Sequence, residues 1–487
     1  MTTALITAQN ALQKKKLYKL NKSMIKKLLS SLALSFLLLH SGAQARNITV
    51  KEGGKLAEQL TDSIRFTIDS LTVSGPLNDA DMKLIRLIAN RSSVKNSGER
   101  LLVSLDLSKA VITAEKHKTT VTTNELPSGF LANCKSLRHL VLPDSLLSMG
   151  RNSLARCASL KELKIPATVT TIGVDAINGC TALTEITVPA SVTEIGDEVF
   201  QNCAQLVQVT FEGKLNELPD GIFDGCESLQ AVSIPAPVKK IGKSAFKDCK
   251  ALAQFDLSEV ITIGSSAFRG CISLSAIDLP KSLTRIGSHA FEGCSSLKTV
   301  TIPLLAKDLG GAAFKDCVLL DSVSIVGQVE KIEDETFCKC QSLRVVTLPT
   351  SVRAVGDNAF MDCLSLREIN LPVAVRSIGN NAFERCTSFK KVVIPVSCTS
   401  IGSDAFRECS MLASVDLPAG LKKIGGGAFL KCASLSEVVL RSSTPPSISA
   451  STFKGTNSCR FIVPKGFKDR YYNDKKWGKV SSIFIEQ

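Results

Sequence analysis

Apolar and polar residues alternate in a unit that recurs along most of the chain. In one copy Leu183, Ile186 and Val188 are apolar, while Thr184, Glu185 and Thr187 are polar. The alternation Ile186-Thr187-Val188 predicts a short half-buried strand. Pro189 ends it, because proline has no N–H to donate to a strand ladder. Val192 and Ile195 turn back inward. The segment from Asp197 to Cys203 reads as short and helix-like, with Phe200 and Cys203 facing in. One unit carries roughly seven inward apolar side chains and cannot close a core alone, so neighbouring units must stack to bury them.

The unit keeps strict register. Cysteines stand at 134, 157, 180, 203, 226, 249, 271, 294, 317, 340, 363, 386, 409 and 432, and twelve of the thirteen intervals are 23 residues and one is 22. Around each runs A-F-x-x-C-x-x-L-x-x-V/I-x-L/I-P-x-x-V/L-x-x-I-G. This predicts an α/β repeat solenoid over 126–440. It is a right-handed rod of about 14 turns with a parallel sheet on one face and short helical turns on the other. At a strand spacing of about 4.8 Å the rod would be about 65–70 Å long. A glycine follows the inward Ile in most turns, as at Gly173, Gly196, Gly242, Gly264, Gly287, Gly379, Gly402 and Gly425, but Pro219 and Glu333 take the same slot. Proline holds φ near −65°, so the column points to close backbone approach or a helix N-cap rather than to positive φ. The short turn has lost a residue after Leu257, at a strand-to-turn corner where the core should not feel it.

The repeat resembles the BspA-like (treponemal-type) leucine-rich repeat. The carriers are the A-F-x-x-C-x-x-L unit with its L-P and I-G, seen at Ala290-Phe291-Glu292-Gly293-Cys294 and Ala405-Phe406-Arg407-Glu408-Cys409. The closing segment Phe461-Ile462-Val463-Pro464-Lys465-Gly466, Tyr471 or Tyr472 and Trp477 resembles the end of such proteins from Bacteroidetes-like bacteria. Leu71-Thr72-Val73-Ser74-Gly75-Pro76-Leu77-Asn78 resembles their N-terminal cap. The resemblance implies surface display, adhesion to host matrix proteins such as fibronectin and fibrinogen, and coaggregation between bacteria. The C-terminal sorting or wall-anchoring module that some members carry is not expected from these residues.

Outside the repeat, Lys26-Lys27, the apolar run Leu28–Leu39 and Ala43-Gln44-Ala45 read as a charged region, a hydrophobic region and an A-x-A site. This is a secretory signal cleaved after Ala45, with Met24 as the better start. The run would span about 18 Å, too short for a hydrocarbon core of about 30 Å. The expected order is 1–45 signal region, 46–125 N-terminal cap, 126–440 repeats and 441–487 C-terminal cap. In the first cap Leu84, Ile85, Leu87 and Ile88 predict a helix, and Leu101–Leu107 is strand-like. In the second, Phe453 keeps the Phe column and Trp477 should cover the last turn. The mature chain is expected to be exported to the periplasm, cell surface or medium, without a transmembrane segment, and monomeric.

Composition changes the picture in two places. The chain has 59 Lys+Arg against 45 Asp+Glu, a net charge of +14. Seven of those lysines and no acid lie before Arg46, so the rest carries 52 basic against 45 acidic residues, or +7. With one Trp and three Tyr for stacking, no nucleic-acid partner is expected. A 44% apolar content excludes a disordered chain.

The 17 cysteines allow disulfides, metal binding or burial. Stacked residues about 4.8 Å apart exceed the Cβ spacing of a disulfide, near 3.8 Å, and a linear column does not converge on a metal. Buried thiols acting as small hydrophobes remain. Cys398 fills an inward slot; Cys338 is expected outward and Cys459 in the cap, so these two are the candidates for reactivity. The Phe column from Phe200 to Phe429 reads as core. His40 falls in the leader, His117 in a polar loop, His139 on the first strand and His289 before a Phe, none with a nucleophile or carboxylate at motif spacing. Asp256 and Asp278 stack on adjacent turns, as a glycosidase pair might. No cofactor is implied, and no catalytic or metal site is assigned.

The expected function is that of an exported leucine-rich repeat binding protein, not an enzyme. It would adhere to host matrix proteins, glycans or other cells through its strand face. A surface glycan hydrolase and a purely structural surface protein are the alternatives. Outward strand positions fall four, five and seven residues after each Cys. The seventh is small and polar at Thr187, Thr210, Ser233, Thr301, Ser324 and Thr347. The fourth carries Arg344, Arg367 and Lys390 on consecutive turns, with Lys391 beside them and Glu368 nearby. Like charges on paired strands repel, so these four cations are the candidate site for an acidic ligand.

Overall fold

A computed structural model describes residues 44–91, 100–113, 123–456, 459–480 and 483–486. The leader before residue 44, with His40, and His117 lie outside these residues. The chain coils into a solenoid of about 18 turns, more than the 14 counted from the cysteines. The extra turns are at the ends, where the Cys column is absent. Strands Ala45–Thr49, Ser70–Leu77 and Ser104–Asp106 pair in parallel and lead into His139–Val141. At the other end Glu437–Leu440 pairs with Arg460–Val463, which pairs with Phe484–Glu486.

Most repeats contribute two strands, where the sequence pointed to one sheet; the turns that begin at Cys157, Cys249, Cys271 and Cys363, the last carrying Arg367, form only the shorter one. The longer strand is the predicted one: Glu185–Val188 pairs with Gln208–Phe211, with Ile186 opposite Val209. The second is a two-residue strand at the inward Ile. Thr262–Ile263, Arg285–Ile286 and Asp308–Leu309 stack in register. So short a strand has no alternation to read, and only its neighbours above and below make it one.

The predicted helical face is a correction. Between the Gly column and the Cys the backbone makes tight turns, closed by bonds such as Gln201 N–H to Glu198 O at 3.1 Å and Cys203 N–H to Phe200 O at 3.2 Å. Two columns per turn have left-handed φ and stop a helix. Glu198 and Asn202 stand at +59° and +58°, Asp404 and Glu408 at +54° and +58°. The N–H groups freed there bond to the next turn instead: Phe200 N–H to Ile222 O at 3.0 Å and Asn202 N–H to Asp224 O at 2.7 Å. Helices are confined to the end segments among the described residues. The predicted one, Asp79–Ala89, is capped by Asn78. The buried carboxylate of Asp81 accepts from the N–H groups of Gly54, Leu56 and Asn78 at 2.6, 3.0 and 3.0 Å.

The core is a set of columns. Twelve phenylalanines from Phe200 to Phe453 stack ring on ring, with centroids 5.2–5.7 Å apart. Phe461 closes the stack edge-on at 5.2 Å. Trp477 donates its indole N–H to Pro446 O, and the Tyr471 hydroxyl donates to Ser442 O, both at 2.8 Å. These two buried side chains lie over the last turn, as expected of Trp477. The glycine column behaves as the proline argument implied. A Cβ on Gly287 would sit 2.4 Å from Ser265 N, because the preceding turn passes directly beneath. The 22-residue turn keeps its bend, Val260 N–H to Leu257 O at 2.9 Å, with both side chains buried and Ser258 and Glu259 exposed.

All 17 cysteines are free and buried. Cys338 therefore corrects the expectation that it points outward. Its slot is filled by Lys315 and Met361 on the turns either side, and longer neighbours cover so short a side chain.

Candidate functional site

The surface of the rod is a ladder of side chains brought together from residues one turn apart, on the second sheet and beside the Cys column as well as on the strand face. The same stacking that buries the Phe column sets charges of consecutive turns side by side. Lys240 meets Glu217 at 2.8 Å, Lys250 meets Glu227 at 2.9 Å and Lys431 meets Glu408 at 3.0 Å. Arg385 forks onto Asp362 at 2.5 and 2.6 Å. Each pair is 23 residues apart, so the repeat period selects the partners. Such exposed pairs contribute little singly, and they answer only part of the charge: Arg138, Lys161 and Lys298 are among the exposed cations that make no ion pair among the described residues.

Of the four candidate cations, only Arg344 finds an acid one turn away among the described residues. Backbone bonds hold them in the expected stack: Arg344 N–H reaches Asp321 O at 2.8 Å and Lys390 N–H reaches Arg367 O at 3.1 Å. Arg344 Nε also lies 3.0 Å from Asp321 Oδ1, so its charge is partly met inside the rod. Arg367, Lys390 and Lys391 are exposed and make no ion pair among the described residues. Glu368 makes none either, although proximity suggested it would offset them.

Apolar side chains stand on the same turns, and the sequence reading missed them. Val345, Val373, Val393 and Val396 are each more than half exposed, Val396 by 77%. Val373 and Val396 share one slot on consecutive turns, just past Pro372 and Pro395. The signal was present in the outward slots: a valine seven residues after Cys386 stands where Thr347 stands one copy earlier but one. Upstream, Thr187, Thr210, Ser233, Thr301 and Ser324 keep the face polar and flat.

The other candidate chemistry does not assemble. Asp256 and Asp278 are both exposed, and Asp256 Oδ1 accepts from Ser258 N–H at 2.9 Å, a local turn contact. His289 has a carboxylate partner that spacing did not suggest. Its Nδ1 is 2.7 Å from Glu292 Oε2, which also lies 3.1 Å from Arg269 Nε. Among the described residues no hydrogen bond joins His289 to a hydroxyl or a thiol. Burial pushes the Cys338 thiol up to about 11 and the Cys459 thiol up to about 12, the reverse of what a reactive thiol needs. An open groove of about 660 Å³ is lined by Arg285, Lys307, Asp308, Glu330, Lys331 and Glu333 on the second sheet. Its charges offset one another, Lys331 lying 2.5 Å from Glu333 and 3.4 Å from Asp334. Among the described residues no three His, Cys, Asp or Glu side chains converge as metal ligands would, and no helix is long and apolar enough to cross a membrane.

Comparison with known proteins follows the repeat. The family described as BspA type leucine rich repeat region matches residues 124–253, 261–387 and 353–473, in six copies. Among curated proteins, none matches the chain. A leucine-rich repeat protein of Bacteroides ovatus is 27% identical over 76% of this chain and 90% of its own, with a TM-score of 0.51. A leucine rich cell surface protein of Faecalibacterium prausnitzii is 24% identical over 64% of this chain and 86% of its own, with a TM-score of 0.40.

Proposed function

Because the chain belongs to the BspA-type leucine-rich repeat family, we propose that it is an exported adhesin, binding an acidic protein or glycan on host matrix or neighbouring cells. The docking site is the strand face around Arg344, Arg367, Lys390 and Lys391. The observation that carries this reading is the stacking of like charge on adjacent turns, where Lys390 N–H bonds to Arg367 O at 3.1 Å. Arg367, Lys390 and Lys391 stand exposed on adjacent turns without an ion pair among the described residues. Isolated cations such as Lys298 do so too, but here a third cation of the same column, Arg344, is stacked one turn before them. The exposed Val345, Val373, Val393 and Val396 beside them add apolar area to the same surface. Exposed apolar area among cations is what a protein partner with acidic and apolar side chains would cover. Catalysis forms no part of the proposal: the role of the rod is to hold this surface rigid.

The test is binding of the exported protein to matrix proteins, acidic glycans and partner-cell extracts, with Arg367, Lys390 and Lys391 changed to Glu. Arg344 is spared because a Glu there would face Asp321. Binding to the acidic ligand should be lost, and wild-type binding should weaken with salt as exposed charges are screened over about 8–10 Å. Thermal stability should stay within about 1 kcal/mol of wild type, as for most surface changes. Undiminished binding by a folded triple variant would move the site elsewhere on the rod.

A further inference from the structure

The net charge of the rod is concentrated at one end. Residues 46–458 carry 45 basic and 42 acidic side chains, while residues 459–487 carry seven basic and three acidic. The last 29 residues thus hold +4 of the +7 that follows the leader. Two of their three acids are occupied by backbone. Asp474 Oδ1 accepts from the N–H groups of Lys476 and Trp477 at 2.9 and 3.0 Å. Glu486 Oε1 accepts from those of Gly466 and Lys468 at 3.0 and 3.2 Å. Arg460 pairs with Glu437 at 3.3 Å. Lys465, Lys468, Lys475, Lys476 and Lys479 are exposed and make no ion pair among the described residues.

These five lysines belong to one compact end piece. The helices Lys468–Tyr472 and Trp477–Val480 are held together by the ring contact of Tyr471 and Trp477, 5.5 Å between centroids. Tyr471 also packs on Phe484 of the last strand at 5.9 Å. The cap that covers the core with Trp477 should present a polar outer face. Instead Tyr472, Ile483 and Ile485 are exposed there, Tyr472 by 55%.

We propose that this C-terminal end is a second docking surface, distinct from the strand-face cations, and that its partner is an anionic lipid surface. Lysines supply the attraction to phosphate headgroups, which acts within about a Debye length of the surface. Tyr472, Ile483 and Ile485 supply the apolar and aromatic groups that settle at a membrane interface. Neither class alone selects a bilayer over a soluble polyanion; the two on one rigid end do. Docking by the end would stand the rod off the surface and leave the strand face free, so the inference holds whether or not the adhesin reading does.

The experiment is sedimentation of the protein purified from the exported fraction with phosphatidylcholine vesicles, with and without 30 mol% phosphatidylglycerol. The expected result is binding at least tenfold stronger to the anionic vesicles. Lys465, Lys468, Lys475, Lys476 and Lys479 changed together to Gln should abolish that preference. The strand-face variant of Arg367, Lys390 and Lys391 should retain it. A second variant, Tyr472→Ser with Ile485→Ser, should weaken vesicle binding while leaving retention on soluble polyphosphate unchanged. Equal binding to both vesicle types, or an unaltered preference in the folded lysine variant, overturns the proposal. So does binding to polyphosphate without binding to vesicles, which would assign the end to a soluble polyanion.

Discussion

The thiol of Cys226 donates to the carbonyl oxygen of Phe200 on the preceding turn, 3.0 Å away. The same oxygen accepts the Cys203 N–H of its own turn at 3.2 Å. Both lone pairs of a buried carbonyl are thereby used. The relation repeats along the rod: Cys294 with Phe268 at 3.2 Å, Cys340 with Phe314 at 3.1 Å and Cys432 with Phe406 at 3.0 Å. Cysteine suits the slot because it is a small hydrophobe that still carries a weak donor.

Cys294→Ala removes that donor and leaves a methyl-sized gap. The expected loss is about 1–2 kcal/mol, combining a weak hydrogen bond with a small cavity. Urea denaturation of the variant against wild type measures it. A loss near zero would mean that the thiol bond contributes nothing.

Thiol chemistry should follow burial. In the native protein at pH 8 almost none of the 17 cysteines should react with a thiol reagent, and after denaturation most should. The folded Cys338 is pushed up to about 11 from an ordinary 9.0 by burial. A raised folded value means stability that is present below pH 9.0 and lost as pH climbs toward 11. Thermal melts between pH 8 and 11 should therefore shift downward with rising pH. A flat profile would contradict the buried-thiol ladder.

Phe314 stacks on Phe291 at 5.3 Å and on Phe337 at 5.7 Å. Phe314→Ala in mid-rod should lower stability by about 3–5 kcal/mol. Because each turn touches only its neighbours, hydrogen exchange should rise most in the turns around residue 314. Protection lost evenly along the rod would argue against local coupling.

Glycine has opposite meanings in two columns. Gly287→Ala places a Cβ 2.4 Å from Ser265 N and should cost about 1–3 kcal/mol, as overpacking does. Ser266 holds a φ of +57°, in a column where Gly221 and Gly427 also stand. Ser266→Gly should raise stability by up to about 1 kcal/mol, since an L-residue is strained there. Calorimetric melting of the two variants checks both signs.

Much of this architecture was legible in the chain. A strict 23-residue period and fixed offsets of Phe, Cys, Leu and Ile imply stacked turns, because a side chain in register with its copies shares their environment. The Phe and Cys columns were thus readable as core, and Gly287 as a close approach, once Pro219 excluded positive φ. The helical turns were misread because Phe200 and Cys203 also suit a helix. The column just before each Cys, with Gly179, Asn202, Gly225 and Asp248, held the contrary signal. Tertiary structure alone decided the rest. A two-residue strand such as Arg285–Ile286 exists only through its neighbours, and the turns before residue 113 lack the Cys by which turns were counted. Whether a cation is answered depends on geometry between turns: Arg344 finds Asp321, whereas Arg367 and Lys390 meet like charge in the slot before them. Period sets which residues are neighbours; only the folded rod sets which of their charged atoms meet.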